Sequence, residues 1–241
     1  MANSYFQFKQ FIINQEKCAM KVCTDACIFG AYISIKEKDK NNDKTCILDI
    51  GTGTGLLSLM IAQKVNGSID AVEIDKNAFE QAQENFKNSL WKSRLFEHRA
   101  DITQFEFSRK YDMIVSNPPF FKSSLKSSNE QKNIAKHITS LPHSTLASIV
   151  FANLADKGRF YILLPTKEFE MFEKIATENQ LALLEKTNIR HDTLSEYFRT
   201  IGVFTNIAVQ KSNTKSLTIK DSNNEYTPEI IQLIKDYYLY L

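Results

Sequence analysis

The 241-residue sequence has few of the residues that build metal centres or disulfide frameworks. It contains no Cys-x-x-Cys pair, and no histidine lies among its cysteines to complete a zinc site. The four cysteines are Cys18, Cys23, Cys27 and Cys46. This pattern argues against a bound metal and predicts free thiols in a reducing compartment.

Long apolar runs and an excess of charge are also missing. No run approaches the roughly 18 apolar residues of a membrane span, and the start lacks the charged-then-apolar order of an export signal, so we expect a cytoplasmic protein without membrane contact. The net charge is only +2. A nucleic-acid partner would therefore require positive charge that is concentrated locally.

The remaining composition is that of a folded protein, with 43% hydrophobic and 24% charged residues. The length fits one domain better than two. We expect a monomer with a single domain over residues 1–241, in which 1–44 form a hairpin and helix prelude and 45–241 form the core.

The prelude has two periodic segments. Phe6 and Phe8 alternate with polar neighbours ahead of Ile12-Ile13, which predicts a strand or hairpin arm. Thr24 is the predicted N-cap of a following helix. The apolar residues on helical spacing are Ile28, Phe29, Tyr32 and Ile35.

From Thr45 onward, short apolar strands alternate with amphipathic helices. Strands are predicted at 46–50, 69–73, 95–98, 111–115 and 159–164, and helices at 56–64, 76–89, 144–155 and 167–179. This alternation predicts a mostly parallel sheet with helices on both faces. Late strands at 181–190, 200–209 and 217–220 predict an antiparallel hairpin at the end of the sheet, and Thr227-Pro228 opens a last helix over 229–240.

Glycine is scarce, but three of the seven residues fall at alternate positions directly after the first core strand. The loop contains Asp49, Gly51, Thr52, Gly53 and Gly55, whereas a dinucleotide fingerprint would read Gly-x-Gly-x-x-Gly. This spacing weighs against a nicotinamide cofactor. It favours S-adenosylmethionine, which has no pyrophosphate to hold.

Two acidic residues follow the next two strands. Glu73 can accept hydrogen bonds from both ribose hydroxyls, and Asp101 can accept one from an adenine amino group. The neighbouring Ile74 and Ile102 are assigned to the same site. Because ligands bind α/β sheets at the carboxyl ends of the strands, acids placed in this order predict a cofactor site.

The most informative motif is Asn117-Pro118-Pro119-Phe120, directly after the strand predicted at 111–115. The Asn117 side-chain oxygen and the Pro118 carbonyl can each accept an N–H of a planar amine, which directs the nitrogen lone pair towards a methyl donor. Phe120 can stack on the planar group. The motif alone leaves adenine, guanine and glutamine open as substrates.

The glycine loop combined with Asn-Pro-Pro-Phe resembles class I S-adenosylmethionine-dependent methyltransferases that act on exocyclic or amide nitrogens. Further segments are similar to the bacterial tRNA1(Val) adenine-N6 methyltransferases. They are Phe8-Lys-Gln-Phe11, Cys18-Ala-Met-Lys-Val22, Thr24-Asp25, Leu48-Asp-Ile-Gly51, Asp70-Ala-Val-Glu73, Gln81-Ala-Gln-Glu-Asn85 and the tail Tyr226 to Leu241.

The resemblance implies a Rossmann-like fold with a seven-stranded sheet and methyl transfer to N6 of the adenine at position 37 of tRNA1(Val). It also implies that Lys21, Thr24 and Asp25 border the methionine end of the cofactor. The chain departs from the family at Cys23, where relatives have glycine. At Phe120 many relatives have tyrosine, and either ring can stack.

A serine- and lysine-rich segment follows the motif, and we expect it to contact RNA phosphates. Its lysines are Lys122, Lys126, Lys132 and Lys136. Arg199 matches a family arginine and can hold either a phosphate or an internal carboxylate.

Three alternatives to this function remain. A protein-glutamine methyltransferase uses the same kind of motif, but those enzymes carry a helical substrate domain ahead of the glycine loop, and here only 48 residues precede Asp49. A guanine-N2 methyltransferase of ribosomal RNA has a similar motif. A binding module without turnover would be expected to lose a loop glycine, Glu73 or Asn117, and all are present.

Overall fold

A central sheet with helices on both faces forms the core of the protein. The structure is a computed structural model, and it describes residues 3–18, 20–38, 44–119 and 141–241. The strands are β1 Tyr5–Gln7, β2 Ile12–Asn14, β3 Cys46–Ile50, β4 Ser68–Glu73, β5 Leu95–Arg99, β6 Tyr111–Ser116, β7 Leu154–Pro165, β8 Ala182–Arg190, β9 Tyr197–Thr205 and β10 Asn213–Thr218. The helices are α1 Thr24–Glu37, α2 Leu56–Ala62, α3 Lys76–Lys87, α4 His143–Asn153, α5 Thr166–Glu178 and α6 Pro228–Ile234, with a short 3-10 helix at Lys92–Arg94.

The main sheet has the strand order β10-β8-β9-β7-β6-β3-β4-β5. The pairs from β7 through β6, β3 and β4 to β5 are parallel, which confirms the predicted parallel core, and β9 runs antiparallel to both β7 and β8. The expectation of seven strands is wrong. An eighth, β10, adds to β8 in parallel; it overlaps the strand predicted at 217–220 but begins four residues earlier, among exposed polar residues that give no apolar period.

Two buried clusters cover the two faces of this sheet. One joins α1, α2, α3 and α6 to one face, and the other joins α4 and α5 to the opposite face. The strands β3 and β6 are buried along nearly their whole length because helices cover both of their sides. This arrangement leaves the carboxyl ends of the parallel strands as the edge at which loops converge.

The prelude forms the predicted hairpin, in which β1 pairs antiparallel with β2. It is fastened to α3 by Asn85, whose side chain accepts a hydrogen bond from Asn14 N at 2.9 Å and donates one to Asn14 O at 2.9 Å. The helix α1 then packs closely on α2. A Cβ at Gly30 would lie 2.6 Å from the sulfur of Met60.

Two predictions at helix ends need correction. The N-cap of α1 is Cys23 rather than Thr24, and it makes no side-chain capping bond. The last helix ends at Ile234, well before the predicted Tyr240. It stops there because Tyr237 is drawn away into tertiary contacts, donating from its hydroxyl to Met60 O at 3.0 Å and accepting at its backbone carbonyl from Lys9 N at 2.8 Å.

Candidate active site

The glycine loop connects β3 to α2 at the carboxyl edge of the sheet. Gly51, Gly53 and Gly55 have φ values of 73°, 59° and 82°, a left-handed conformation that favours glycine. A Cβ added at Gly51 or Gly53 would meet no atom within 4 Å, whereas one at Gly55 would lie 2.4 Å from Phe86 Cε1. The first two glycines therefore face open space, and the third allows α2 to approach α3.

Glu73, at the end of β4, joins the glycine loop to the start of α3. One carboxylate oxygen accepts a hydrogen bond from Gly53 N at 2.9 Å, and the other accepts one from Asp75 N at 2.8 Å. Bonds from backbone N–H groups to a carboxylate are charge-assisted and directional. Glu73 is thereby fixed in orientation beside the loop, as its predicted role at the cofactor requires.

Asp49, the last acidic residue before the loop, is completely buried. Its Oδ2 accepts hydrogen bonds from Thr52 Oγ1 at 2.6 Å and from Ser58 Oγ at 2.7 Å, while its Oδ1 is buried and has no partner among the described residues. Burial raises the pKa of the Asp49 carboxyl to about 6, despite the opposing effect of the two hydroxyl donors. Within the described residues, an acceptor oxygen thus remains unsatisfied beneath the loop.

Asn85 and Phe86 support the loop from α3, and the sequence prediction assigned them no role. Asn85 Nδ2 donates to Thr54 O at 2.8 Å in addition to its bond with the prelude, and the Phe86 ring lies under Gly55. Gln81 and Asn85 are both buried on one face of α3. Two amides four residues apart on the apolar face of an amphipathic helix were the signal that pointed to this support.

Asn117 follows β6 at the same edge of the sheet. Ser116 Oγ donates to Ile50 O at 3.0 Å, which ties the end of β6 to the end of β3 just before the glycine loop. Asn117 Oδ1 is buried and has no hydrogen-bond partner in the described part of the chain. Because an unsatisfied buried acceptor is unfavourable, this oxygen is a candidate for binding a ligand N–H.

The other predicted cofactor residues lie near the same edge. Asp101 is exposed and closes a turn by accepting from Thr103 N and Thr103 Oγ1, both at 2.9 Å, while Ile102 is buried in the core. Ile74 directly follows Glu73 and is 55% exposed, a large fraction for an isoleucine. The structure therefore brings this apolar side chain to the solvent side of the site.

The segment that begins α1 reaches this edge as well. Asp25 Oδ2 accepts from Arg199 Nε at 2.8 Å, and Arg199 at the start of β9 pairs in register with Pro165 at the end of β7. Of the two roles expected for Arg199, the described contact is the one with an internal carboxylate. Thr24 begins the helix, and Lys21 Nζ donates to Gln15 O, which orders the prelude rather than the glycine loop.

Several predicted residues lie outside the described part of the chain. They are Phe120, Lys122, Lys126, Lys132 and Lys136. Pro118 and Pro119 are described, and Pro119 is exposed.

Known proteins were compared with this chain at the levels of sequence and structure. The family model described as Methyltransferase small domain matches residues 29–184. A tRNA1(Val) (adenine(37)-N6)-methyltransferase from Phocaeicola vulgatus is 41% identical and one from Cytophaga hutchinsonii 39%, with alignments that cover at least 99% of each chain. This chain belongs to the family of tRNA1(Val) (adenine(37)-N6)-methyltransferases.

Solved methyltransferase structures share the fold. A protein described as a predicted O-methyltransferase from Agrobacterium tumefaciens superposes with a TM-score of 0.65 at 14% identity, covering 89% of this chain and 97% of its own. A methyltransferase from Pyrococcus furiosus gives 0.52 at 20% identity, covering 75% and 83%. The Rossmann-like class I fold expected from the sequence is thereby confirmed, and membership of a methyltransferase family implies use of S-adenosylmethionine.

The described residues contain neither a cluster of possible metal ligands nor a helix that could span a membrane. Nowhere in residues 3–18, 20–38, 44–119 and 141–241 do three or more His, Cys, Asp or Glu side chains converge to hold a metal ion. Within the same ranges, every helix is too short or too polar to cross a bilayer.

Gly53 and Gly55 provide a matched pair for testing the loop of this methyltransferase. Gly53→Ala is expected to lower the free energy of unfolding by about 1 kcal/mol, the cost of a left-handed alanine, and to raise the Kd for S-adenosylmethionine about tenfold because its Cβ enters open space. Gly55→Ala adds overlap with Phe86 and is expected to lose about 3 kcal/mol. Urea denaturation and equilibrium dialysis measure both quantities. Equal losses of stability in the two variants would contradict the conclusion that Gly53 faces open space while Gly55 packs against Phe86.

Asp49→Asn is expected to change the pH dependence of stability in a defined direction. The folded pKa of about 6 lies above the unfolded value of 3.8, so the contribution of the protonated carboxyl is complete below pH 3.8 and is lost as pH rises through 6. Asparagine does not titrate. The free energy of unfolding of Asp49→Asn minus that of the wild type should therefore rise by about 2.4 kcal/mol between pH 4 and pH 7. Urea denaturation across this range measures it, and a constant difference would refute the prediction.

Proposed function

We propose that this protein transfers a methyl group from S-adenosylmethionine to N6 of the adenine at position 37 of tRNA1(Val). The observation that carries the proposal is the Oδ1 of Asn117, which is buried, has no hydrogen-bond partner among the described residues and follows β6 beside the open glycine loop. The identity of the substrate is inferred from the family to which the chain belongs. We further propose that residues 1–241 act as one methyltransferase unit, which is supported by the bonds of Asn85 to both the prelude and the glycine loop.

The residues present fit the cofactor. Gly51 and Gly53 leave room for close approach to the backbone, and the fixed carboxylate of Glu73 has further lone pairs for ribose hydroxyls. Ile74 offers an exposed apolar surface for the face of an adenine. The second carboxylate oxygen of Asp101 can accept a hydrogen bond from the amino group of that adenine. When bound, S-adenosylmethionine supplies an electrophilic methyl group on its sulfonium sulfur.

Asn117 and Pro118 act on the substrate amine. The Asn117 Oδ1 and the Pro118 carbonyl oxygen each accept one N–H, which withdraws the amine from conjugation with the ring and leaves its lone pair directed away from both acceptors. Proline contributes rigidity here because its φ is fixed. Phe120 is proposed to stack on the base. The catalytic gain then comes from orientation and from acceptors held in place before the reaction.

Asn117 alone does not distinguish adenine from guanine or glutamine, since each presents a planar amine. The relatives that cover the whole chain favour the tRNA adenine, because they match the prelude and the tail as well as the cofactor loop. A single experiment separates the three substrates. Nucleoside mapping by mass spectrometry of tRNA from cells with and without the gene should show N6-methyladenosine at position 37 only when the gene is present. Unchanged tRNA together with loss of methylguanosine from ribosomal RNA, or of methylglutamine from a protein, would refute the adenine assignment.

A further inference from the structure

Aromatic and cationic side chains gather where β8 and β10 end and β9 begins. The exposed or half-buried members of this group are referred to as the hairpin platform. They are Arg190, His191, Tyr197, Phe198, Lys220 and Tyr226. None of them belongs to the proposed cofactor site or to the Asn-Pro-Pro motif.

The hairpin itself carries two ring contacts. The rings of His191 and Phe198 stack with centroids 4.0 Å apart and planes 9° apart. The guanidinium carbon of Arg190 lies 5.7 Å from the centroid of the Tyr197 ring. His191 is exposed and Tyr197 is 40% exposed, so these two rings face solvent, whereas Phe198 is half-buried and packs against the core.

The chain after β10 extends the platform. Lys220 N donates to His191 O at 2.8 Å, which places this segment alongside the hairpin. Lys220 Nζ lies 5.6 Å from the centroid of the Tyr226 ring and donates to Asn224 O at 2.7 Å. The Lys220–Tyr226 contact is thus a second cation–ring pair, and it lies beside the Arg190–Tyr197 pair.

Strand register places the platform at the same carboxyl edge of the sheet as the methyltransferase site. Ser116 at the end of β6 pairs with Ile162 of β7, and Ile162 pairs with Gly202 of β9. Tyr197 lies five residues further along β9 in the direction of the carboxyl edge, about 17 Å at strand spacing. Because β9 is two strands away from β6, about 10 Å, the platform stands to one side of Asn117 and beyond it.

The hairpin turn is held by its own hydrogen bonds. Asp192 Oδ1 accepts hydrogen bonds from Leu194 N at 2.9 Å and Ser195 N at 2.8 Å, and Arg190 Nε donates to Thr218 Oγ1 at 2.9 Å. Leu194 at the tip is 97% exposed. A surface that is already ordered loses little conformational entropy on binding.

Exposed rings beside cationic side chains are the combination by which proteins bind single-stranded nucleic acid. Proteins bind unpaired nucleotides by stacking bases on exposed rings and by placing Lys or Arg near phosphates, and Arg also interacts with ring faces. A base that enters a methyltransferase site must leave its own stack, so its neighbours in the loop are unstacked or strained as well.

We propose that the hairpin platform binds the unpaired nucleotides adjacent to the target adenine, with Tyr197 as a stacking surface for one of these bases. The inference rests on the proposed function, since it takes tRNA as the substrate. It assigns a second contact region on the RNA, distinct from the adenine held at Asn117.

Tyr197→Ala tests the stacking contact, and Tyr240→Ala is its matched control because Tyr240 is also an exposed ring, at 89% exposure, near the end of the chain. Tyr197→Ala should raise the Kd for tRNA about tenfold and leave the Kd for S-adenosylmethionine unchanged. Tyr197→Phe, which keeps the ring, should restore tRNA binding, and Tyr240→Ala should bind as the wild type does. A merely structural role for Tyr197 would instead lower the unfolding midpoint and weaken both ligands.

Glu196→Lys tests the charge at the same surface. Glu196 is exposed beside Tyr197, so reversing its charge should tighten tRNA binding severalfold at low salt and steepen the dependence of log K on log salt by about 0.7. Glu178→Lys is the matched control, because Glu178 is also exposed and lies at the end of α5 on the opposite edge of the sheet.

The wild type separates failure of this inference from failure of the proposed function. If the wild type methylates tRNA1(Val) at N6 while the Tyr197 and Glu196 variants bind tRNA as their controls do, the platform assignment is overturned and the proposed function stands. If the wild type neither binds nor methylates this tRNA, both are overturned.

Discussion

Asn117→Ala is expected to lower the single-turnover rate of methyl transfer about a thousandfold at saturating S-adenosylmethionine and tRNA. Removing one pre-positioned polar group that acts on the reacting atoms typically costs a factor of a hundred to a thousand. Asn117 Oδ1 has no partner among the described residues, so its loss removes no described bond that holds the fold. The midpoint of urea denaturation should therefore stay close to that of the wild type. Rapid-quench measurement with labelled methyl donor gives the rate.

Asn206→Ala is the control for this prediction. Asn206 also has a buried Oδ1 without a partner in the described structure, but its Nδ2 donates to Ala155 O at 2.9 Å near the start of β7, away from the carboxyl edge. Its alanine variant should lose stability and keep its rate. A rate for Asn117→Ala within tenfold of the wild type would exclude the proposed role in orienting the amine.

Glu73→Ala is expected to raise the Kd for S-adenosylmethionine about a thousandfold. The substitution removes the carboxylate that accepts two charge-assisted hydrogen bonds, from Gly53 N at 2.9 Å and from Asp75 N at 2.8 Å. Each such bond contributes about 1.5–3 kcal/mol to the stability of the ordered loop. It also removes the carboxylate that the ribose hydroxyls are proposed to contact. Isothermal titration calorimetry or equilibrium dialysis measures the change.

Asp75→Ala is the matched control for Glu73→Ala, since it removes a carboxylate two residues away. The Asp75 side chain caps α3 by accepting from Ala78 N at 2.8 Å. Its loss should lower the free energy of unfolding by about 1 kcal/mol and leave cofactor affinity near that of the wild type. Similar affinities for the two variants would show that the site responds to the stability of α3 rather than to Glu73.

The parts of the fold predicted correctly are those in which local pattern and final environment agree. The strands β3 and β6 are buried on both faces, so their apolar runs identify them without further information. The glycine loop is equally local, because its backbone conformation requires particular residues in sequence. Thr227 accepts from Ile230 N at the start of α6, as the Thr-Pro pair indicated.

The parts that were not predicted depend on contacts between distant segments. The Asp25–Arg199 pair joins residues 174 apart, and neither residue alone indicates the other. The strand predicted at 217–220 begins four residues earlier, at Asn213, because its first residues are polar and exposed and only their pairing with β8 defines them. Asn85 was visible as a buried amide on a helix, but its bond to Thr54 O requires the folded loop. Tertiary interactions decided each of these features.

The amide of Asn85 has a thermodynamic consequence for the N-terminal hairpin. Because one side chain bonds both Asn14 and the carbonyl of Thr54, local opening of the hairpin removes a restraint from the glycine loop. A ligand that binds only the ordered loop then stabilises the closed hairpin by mass action. The first residues of the chain thus act as a distant reporter of cofactor occupancy, and the two equilibria are linked reciprocally.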